Sequence, residues 1–166
     1  LLPLARVTEG NPKAIEMALG YVKYGALSLS EVVDHLYAAS QTVGGLFEGL
    51  FAQAWETLTK DAQHVLLVMP FFADSASKET LGDAAELKGY RLDAALGQLV
   101  GMSLLDVNKG AEESQIRYSV HPLTRSFAVG KLGEVSEFEE QARARWSDFF
   151  LRYVEMYGDD NLGEDI

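Results

Sequence analysis

Apolar residues recur at steps of three and four along almost the whole chain, and in one short stretch that period drops to two. This pattern constrains the fold more than anything else in the sequence. Leu29, Val32, Val33, Leu36 and Tyr37 step by 3, 1, 3 and 1, one face of an amphipathic helix, behind the capping box Ser28-Leu29-Ser30-Glu31. Asn11-Pro12 reads as an N-cap and first helical residue, which predicts a helix from about Pro12 to Tyr24. Val43, Leu46, Phe47, Leu50, Phe51, Trp55 and Leu58 continue the stepping over a third helix entered through Gly44-Gly45. Thr59 then caps a shorter helix through Ala62, Val65, Leu66 and Met69, stopped by Pro70, with Phe71 and Phe72 as core anchors.

Ser77 is expected to cap a helix to about Leu87 that Gly89 breaks, and Leu92, Ala95, Leu96, Leu99 and Val100 mark the next. Leu105 and Val107, then Ile116, Tyr118 and Val120, alternate with polar residues around Asn108-Lys109-Gly110, a β-hairpin pattern. Three helices followed by a hairpin is the order of a winged helix. Pro122 opens a helix to about Leu132. Ser136-Glu137-Phe138-Glu139 reads as a second capping box, starting a long helix with Phe138, Ala142, Trp146, Phe149, Tyr153 and Tyr157 inward; Gly158 to Ile166 look frayed. The expected fold is therefore mainly α: a helical subdomain over 1–58, a winged-helix domain with a small hairpin over 59–132, and a connecting helix over 133–166.

Charge narrows the partners. The chain of 166 residues has formal charge −11, and its basic and acidic side chains number 3 and 6 in residues 1–58, 8 and 9 in 59–132, and 3 and 10 in 133–166. No segment has the basic excess that exchanges counterions with a nucleic-acid backbone, so no nucleic-acid partner is expected. With no cysteine there is neither a disulfide framework nor a thiolate, which suits a reducing cytoplasm. No apolar run reaches the roughly 20 residues of a membrane span. The chain starts at Leu1 inside a helical pattern, so we expect a piece of a longer protein.

Motifs for chemistry are scarce. There is no G-x-x-x-x-G-K-[ST] loop and no G-x-S-x-G elbow, and His35, His64 and His121 stand 29 and 57 positions apart without metal-ligand spacing. Neither a catalytic residue nor a metal site is expected. His121-Pro122 and Asn11-Pro12 both open helices, where free amides and the dipole favour an anion, and a neutral imidazole there can donate one hydrogen bond to a phosphate oxygen. Read locally, either dipeptide is equally a simple cap or turn.

Two segments in order resemble a known family. Thr8-Glu9-Gly10-Asn11-Pro12-Lys13-Ala14-Ile15-Glu16 resembles the Gly-x-Pro motif of the NB-ARC class of STAND signal-transduction ATPases. Leu96 to Leu105, with Tyr118-Ser119-Val120-His121-Pro122-Leu123-Thr124-Arg125-Ser126-Phe127-Ala128, resembles that family's winged-helix end and its His-containing motif. Phe138 to Tyr157 looks like the helix that leads such proteins into tetratricopeptide-type repeats.

The resemblance implies a regulatory ATP/ADP switch whose phosphate loop precedes this chain. The partners would be its own N-terminal nucleotide-binding domain and C-terminal repeats, with homo-oligomerisation on activation. It also implies that Pro12 packs on the adenine and His121 contacts the β-phosphate of ADP. Val120 stands where the family has Met and Pro122 where plant members have Asp, so no role of that Asp carries over. A DNA-binding winged helix of a transcriptional regulator and a ligand-free interaction scaffold are the alternative readings.

Overall fold

The structure is a computed structural model that describes residues 2–25, 27–40, 45–109 and 116–157. Among these, the fold is mainly α, with one small antiparallel sheet. Four helices come first: α1 (Leu2–Val7), α2 (Pro12–Tyr24), α3 (Leu29–Ser40) and α4 (Gly45–Thr57). Val43 and Gly44, expected at the start of α4, lie outside the described residues. The expected caps form: Asn11 Oδ1 accepts the Ala14 N–H at 3.1 Å, and Ser28 and Glu31 exchange reciprocal bonds. α3 packs on α1, α2 and α4.

α5 (Lys60–Val68) is the centre of the molecule. Val65, Leu66, Leu67, Val68 and Met69 are consecutive and all buried, so the C-terminal end of α5 is covered on every side, as a helical turn apolar all round must be. It contacts α6 (Lys78–Ala85), α7 (Gly89–Gly101) and α8 (Pro122–Gly133). Thr59 caps it as expected. Pro70 does not stop the chain outright: α5 tightens into a 3₁₀ turn over Met69–Phe71, which tolerates a proline near its start. Phe72 is buried, whereas Phe71 is only half-buried.

Several expectations change here. α6 is ended by Glu86 in the left-handed conformation, with φ 58°, and Gly89, with φ 56°, opens α7 instead of breaking α6. The hairpin is shorter than its alternation suggested: β2 is Asp106–Asn108 and β3 is Arg117–Ser119, leaving Leu105, Ile116 and Val120 outside the strands. Leu105 instead fills the core. A two-residue strand β1 (Ala76–Ser77), which the sequence reading did not anticipate, pairs with the other side of β3, giving the order β1-β3-β2. Gly110, expected in the hairpin turn, lies outside the described residues.

The long helix α9 (Ser136–Tyr157) begins with Val135 in the cap position, because Val135 O accepts the Glu139 N–H at 3.0 Å. Ser136 is thus already helical, and the Glu139 carboxylate pairs with Arg143 instead of closing a capping box. Ala142 is buried and Phe138, Trp146 and Phe149 are half-buried, but Tyr153, expected inward, is 50% exposed. Residues 158–166 and the Tyr157 side chain lie outside the described set. One hydrophobic cluster runs through the whole assembly, from Leu4 and Met17 through Leu66 and Leu99 to Ala142.

Candidate functional site: two proline-opened helix starts

The chain reaches α2 through a tight turn. Thr8 Oγ1 donates to Leu4 O at 2.8 Å, and Glu9 and Gly10 follow with φ of 53° and 74°. Two left-handed residues in succession explain the glycine, since nothing crowds its missing Cβ and only the backbone conformation demands it. Asn11 is then extended, and Pro12 occupies the first helical position, exposed.

α8 starts the same way. His121 is the N-cap, extended at φ −60° and ψ 145°, and its Nδ1 accepts the Leu123 N–H at 3.3 Å. Pro122 takes the first helical position. Because Nδ1 serves as the acceptor, the proton of the neutral ring sits on Nε2, which keeps one donor for a further partner. The ring is half-buried, not sealed among aliphatic side chains.

The structure brings these two starts to one end of the β2–β3 ladder. Lys13, next to Pro12, sets its Nζ 3.3 Å from Asp106 Oδ1 at the start of β2. Asp106 is the register partner of Ser119, the last residue of β3 and two positions before His121. Asn108 Nδ2 ties the same strands by donating to Ser119 Oγ at 3.0 Å. Pro12 and His121 are thus connected through Lys13, Asp106 and Ser119.

The electrostatics of the two starts differ from most of the molecule. α3, α4, α5, α6 and α9 each carry an acidic side chain in the first turn, as the helix dipole favours. α2 and α8 have none, a trait shared with α1 and α7, although the chain is strongly acidic. They hold cations instead: Lys13 in α2, and Arg125 one turn into α8. Arg125 donates to Pro70 O at 3.3 Å, Phe72 O at 2.8 Å and Ala73 O at 2.9 Å. It pins α8 to the exit of α5. Sequence reasoning missed both residues. The signal was available, since a cation near the start of a helix opposes the dipole and therefore calls for a specific acceptor.

In the alternative reading of a DNA-binding winged helix, Gly89–Gly101 would be the recognition helix, and its charged side chains are paired. On α7, Arg91 grips Asp61 with two bonds of 2.8 and 2.6 Å, which holds the Asp61 carboxyl below the usual carboxylate range. Asp93 is paired with Lys78, and Ala94 and Gly97 present no polar side chain. Among the described residues, no group of three or more His, Asp or Glu is placed to hold a metal ion, and no helix is long and apolar enough to cross a membrane.

A helical protein with two acid-free, proline-opened helix starts at one end of a small sheet is the class that the geometry defines. No family model matches the chain. Over 150 residues, 90% of its length, the chain is 26% identical to the transcription activator GutR of Bacillus subtilis (strain 168). It spans 18% of the length of that curated relative.

Proposed function

We propose that this chain is the regulatory lid of an ATP/ADP-dependent switch of the NB-ARC/STAND class, working inside a larger protein that controls transcription. The observation that carries this reading is the Lys13–Asp106 contact, which ties the start of α2 to the end of the ladder from which His121 follows, in two helices whose first turns carry no acid. The positive end of each dipole and the His121 Nε2–H together suit a diphosphate. The exposed Pro12 ring offers a rigid apolar face for adenine. A bound nucleotide supplies the negative charge, while the phosphate loop belongs to a domain upstream of this chain.

In this reading His121 holds its contact only in the ADP state, and α8 transmits it to the rest of the lid. Release of His121 on exchange for ATP frees the lid and permits oligomerisation. Such a switch needs differential contact with the two nucleotides, because a ligand bound equally by both states shifts nothing. The likeness to a transcription activator supports the regulatory setting, and the small share of that relative which is covered supports a module within a longer chain.

The same likeness favours a second reading, a DNA-contacting winged helix. The pairing of Arg91 with Asp61 and of Lys78 with Asp93 opposes it, since phosphate contacts would have to break those pairs. Two measurements test the proposal. Calorimetry on the 166-residue chain with ADP should show nothing tighter than about millimolar, or about −4 kcal/mol, while the full-length protein should retain ADP through purification. Micromolar binding by the chain alone, or a gel shift of DNA that Arg91→Ala abolishes, would overturn it.

A further inference from the structure

α9 has two unlike halves. Its first half is well seated: Phe138 stacks on His64 at 4.4 Å, Ala142 is fully buried, and Arg145 donates to Ala84 O at 3.2 Å. Trp146 leans on Phe71, with centroids 6.4 Å apart. Beyond Phe149 the helix becomes much more exposed while the apolar sequence continues. Leu151 and Val154 are each 62% exposed, Met156 67% and Phe150 39%.

Position on the helix makes this a second face. At about 100° per residue, Phe149, Tyr153, Phe150, Val154 and Leu151 sweep an apolar arc of about 200°, roughly twice the stripe that one neighbour needs. The body of the protein meets the side bearing Phe149. The other side, the ridge Phe150–Val154 with Leu151 beside it, has the form of a helix built to be covered twice. At the foot of this ridge, Phe149 and Phe150 face Phe72, Ser77 and Thr80 across a cleft of about 520 Å³, large enough to receive a bulky side chain.

Charge selects the occupant. Asp148 and Glu155 border the outer edge of the arc, and Glu79 lines the cleft together with Arg117. Of the cations nearby, Arg117 is held by Ser75 and Arg152 donates to Asp148 O. We propose that the C-terminal half of α9 is a docking surface for a cationic amphipathic helix of a separate partner protein. One apolar residue of that helix fills the cleft, and Lys or Arg residues on its flanks meet the acidic border. A second copy of this chain fits poorly, because it would set two bodies of charge −11 with their acidic borders together.

The test uses the 166-residue chain and a labelled Leu/Lys amphipathic peptide of about 18 residues, long enough to hold a helix once bound. Peptide anisotropy and Trp146 emission report binding, since Trp146 lies 5.0 Å from Phe150. The double variant Leu151→Gln/Val154→Gln changes only exposed side chains and should melt like the parent. Saturable binding that weakens about tenfold or more in the double variant, and equally in a Leu/Glu peptide of the same length, is the expected result. Equal binding by the double variant, or equal binding of the Leu/Glu peptide, would overturn the proposal. So would a dimer in sedimentation equilibrium that the double variant dissolves, since a second copy would then cover the face.

Discussion

Phe127 of α8 lies nearly parallel to Phe51 of α4, with ring centroids 5.0 Å apart and planes 13° from parallel. Trp55 meets the same Phe127 edge-on at 6.0 Å. The helix that His121 caps is therefore fastened to the N-terminal helices by an aromatic cluster six residues further on. Removing that fastening should cost stability. Phe127→Ala loses a half-buried ring and two aromatic contacts, and we expect about 2–4 kcal/mol from the urea midpoint, with Phe127→Leu milder by about half.

Arg125 fixes the other side of α8. Its planar guanidinium reaches three carbonyl groups at the exit of α5, a geometry that a single ammonium cannot reproduce. Arg125→Lys should lower stability by about 1–3 kcal/mol and Arg125→Ala by at least as much. Equal stability of the lysine variant by urea denaturation would show that one point charge suffices.

His64 gives the docking of α9 a pH dependence. Burial pushes its imidazole below the ordinary histidine range; nearby Asp61 opposes this, while Arg145, Lys60 and Arg91 reinforce it. The unfolded chain therefore takes up a proton near pH 6.5 that the folded chain still refuses. This contribution is fully present above that pH and is lost as the pH falls through the interval down to the lower folded value. Urea midpoints should drop between about pH 7.5 and 5.5, and His64→Gln should remove most of that drop. An identical drop in the variant would assign the effect to other groups.

Gly20 marks where α2 crosses α7. A Cβ there would stand 2.6 Å from Met102 Cα and 3.1 Å from Gly101 O, backbone atoms that cannot swing aside. Gly20→Ala should therefore destabilise by about 1–3 kcal/mol despite the better helix propensity of alanine. A gain in thermal midpoint would contradict the close crossing.

Local chemistry made much of this fold legible. Asn11, Thr59, Ser77 and the Ser28–Glu31 pair announced helix starts because a cap acts on amides two or three residues away, entirely within the sequence window. Pro12 and His121 were visible as helix openers for the same reason. Their connection through Lys13, Asp106 and Ser119 was not, because it depends on strand register and on a contact across 93 residues. Glu86 escaped notice because left-handed helix ends usually announce themselves through glycine. β1 is too short to show a period, and Tyr153 looked buried only because its apolar arc was assigned a single neighbour.

The most direct test of the latch is the rate of ADP release from the full-length protein carrying His121→Asp. Aspartate keeps a side-chain acceptor for the Leu123 N–H, so the start of α8 stays capped, but it replaces the Nε2–H donor with a negative charge. The account predicts release faster by about tenfold or more at unchanged folding stability. Release at the parent rate would mean that His121 is a helix cap and nothing more.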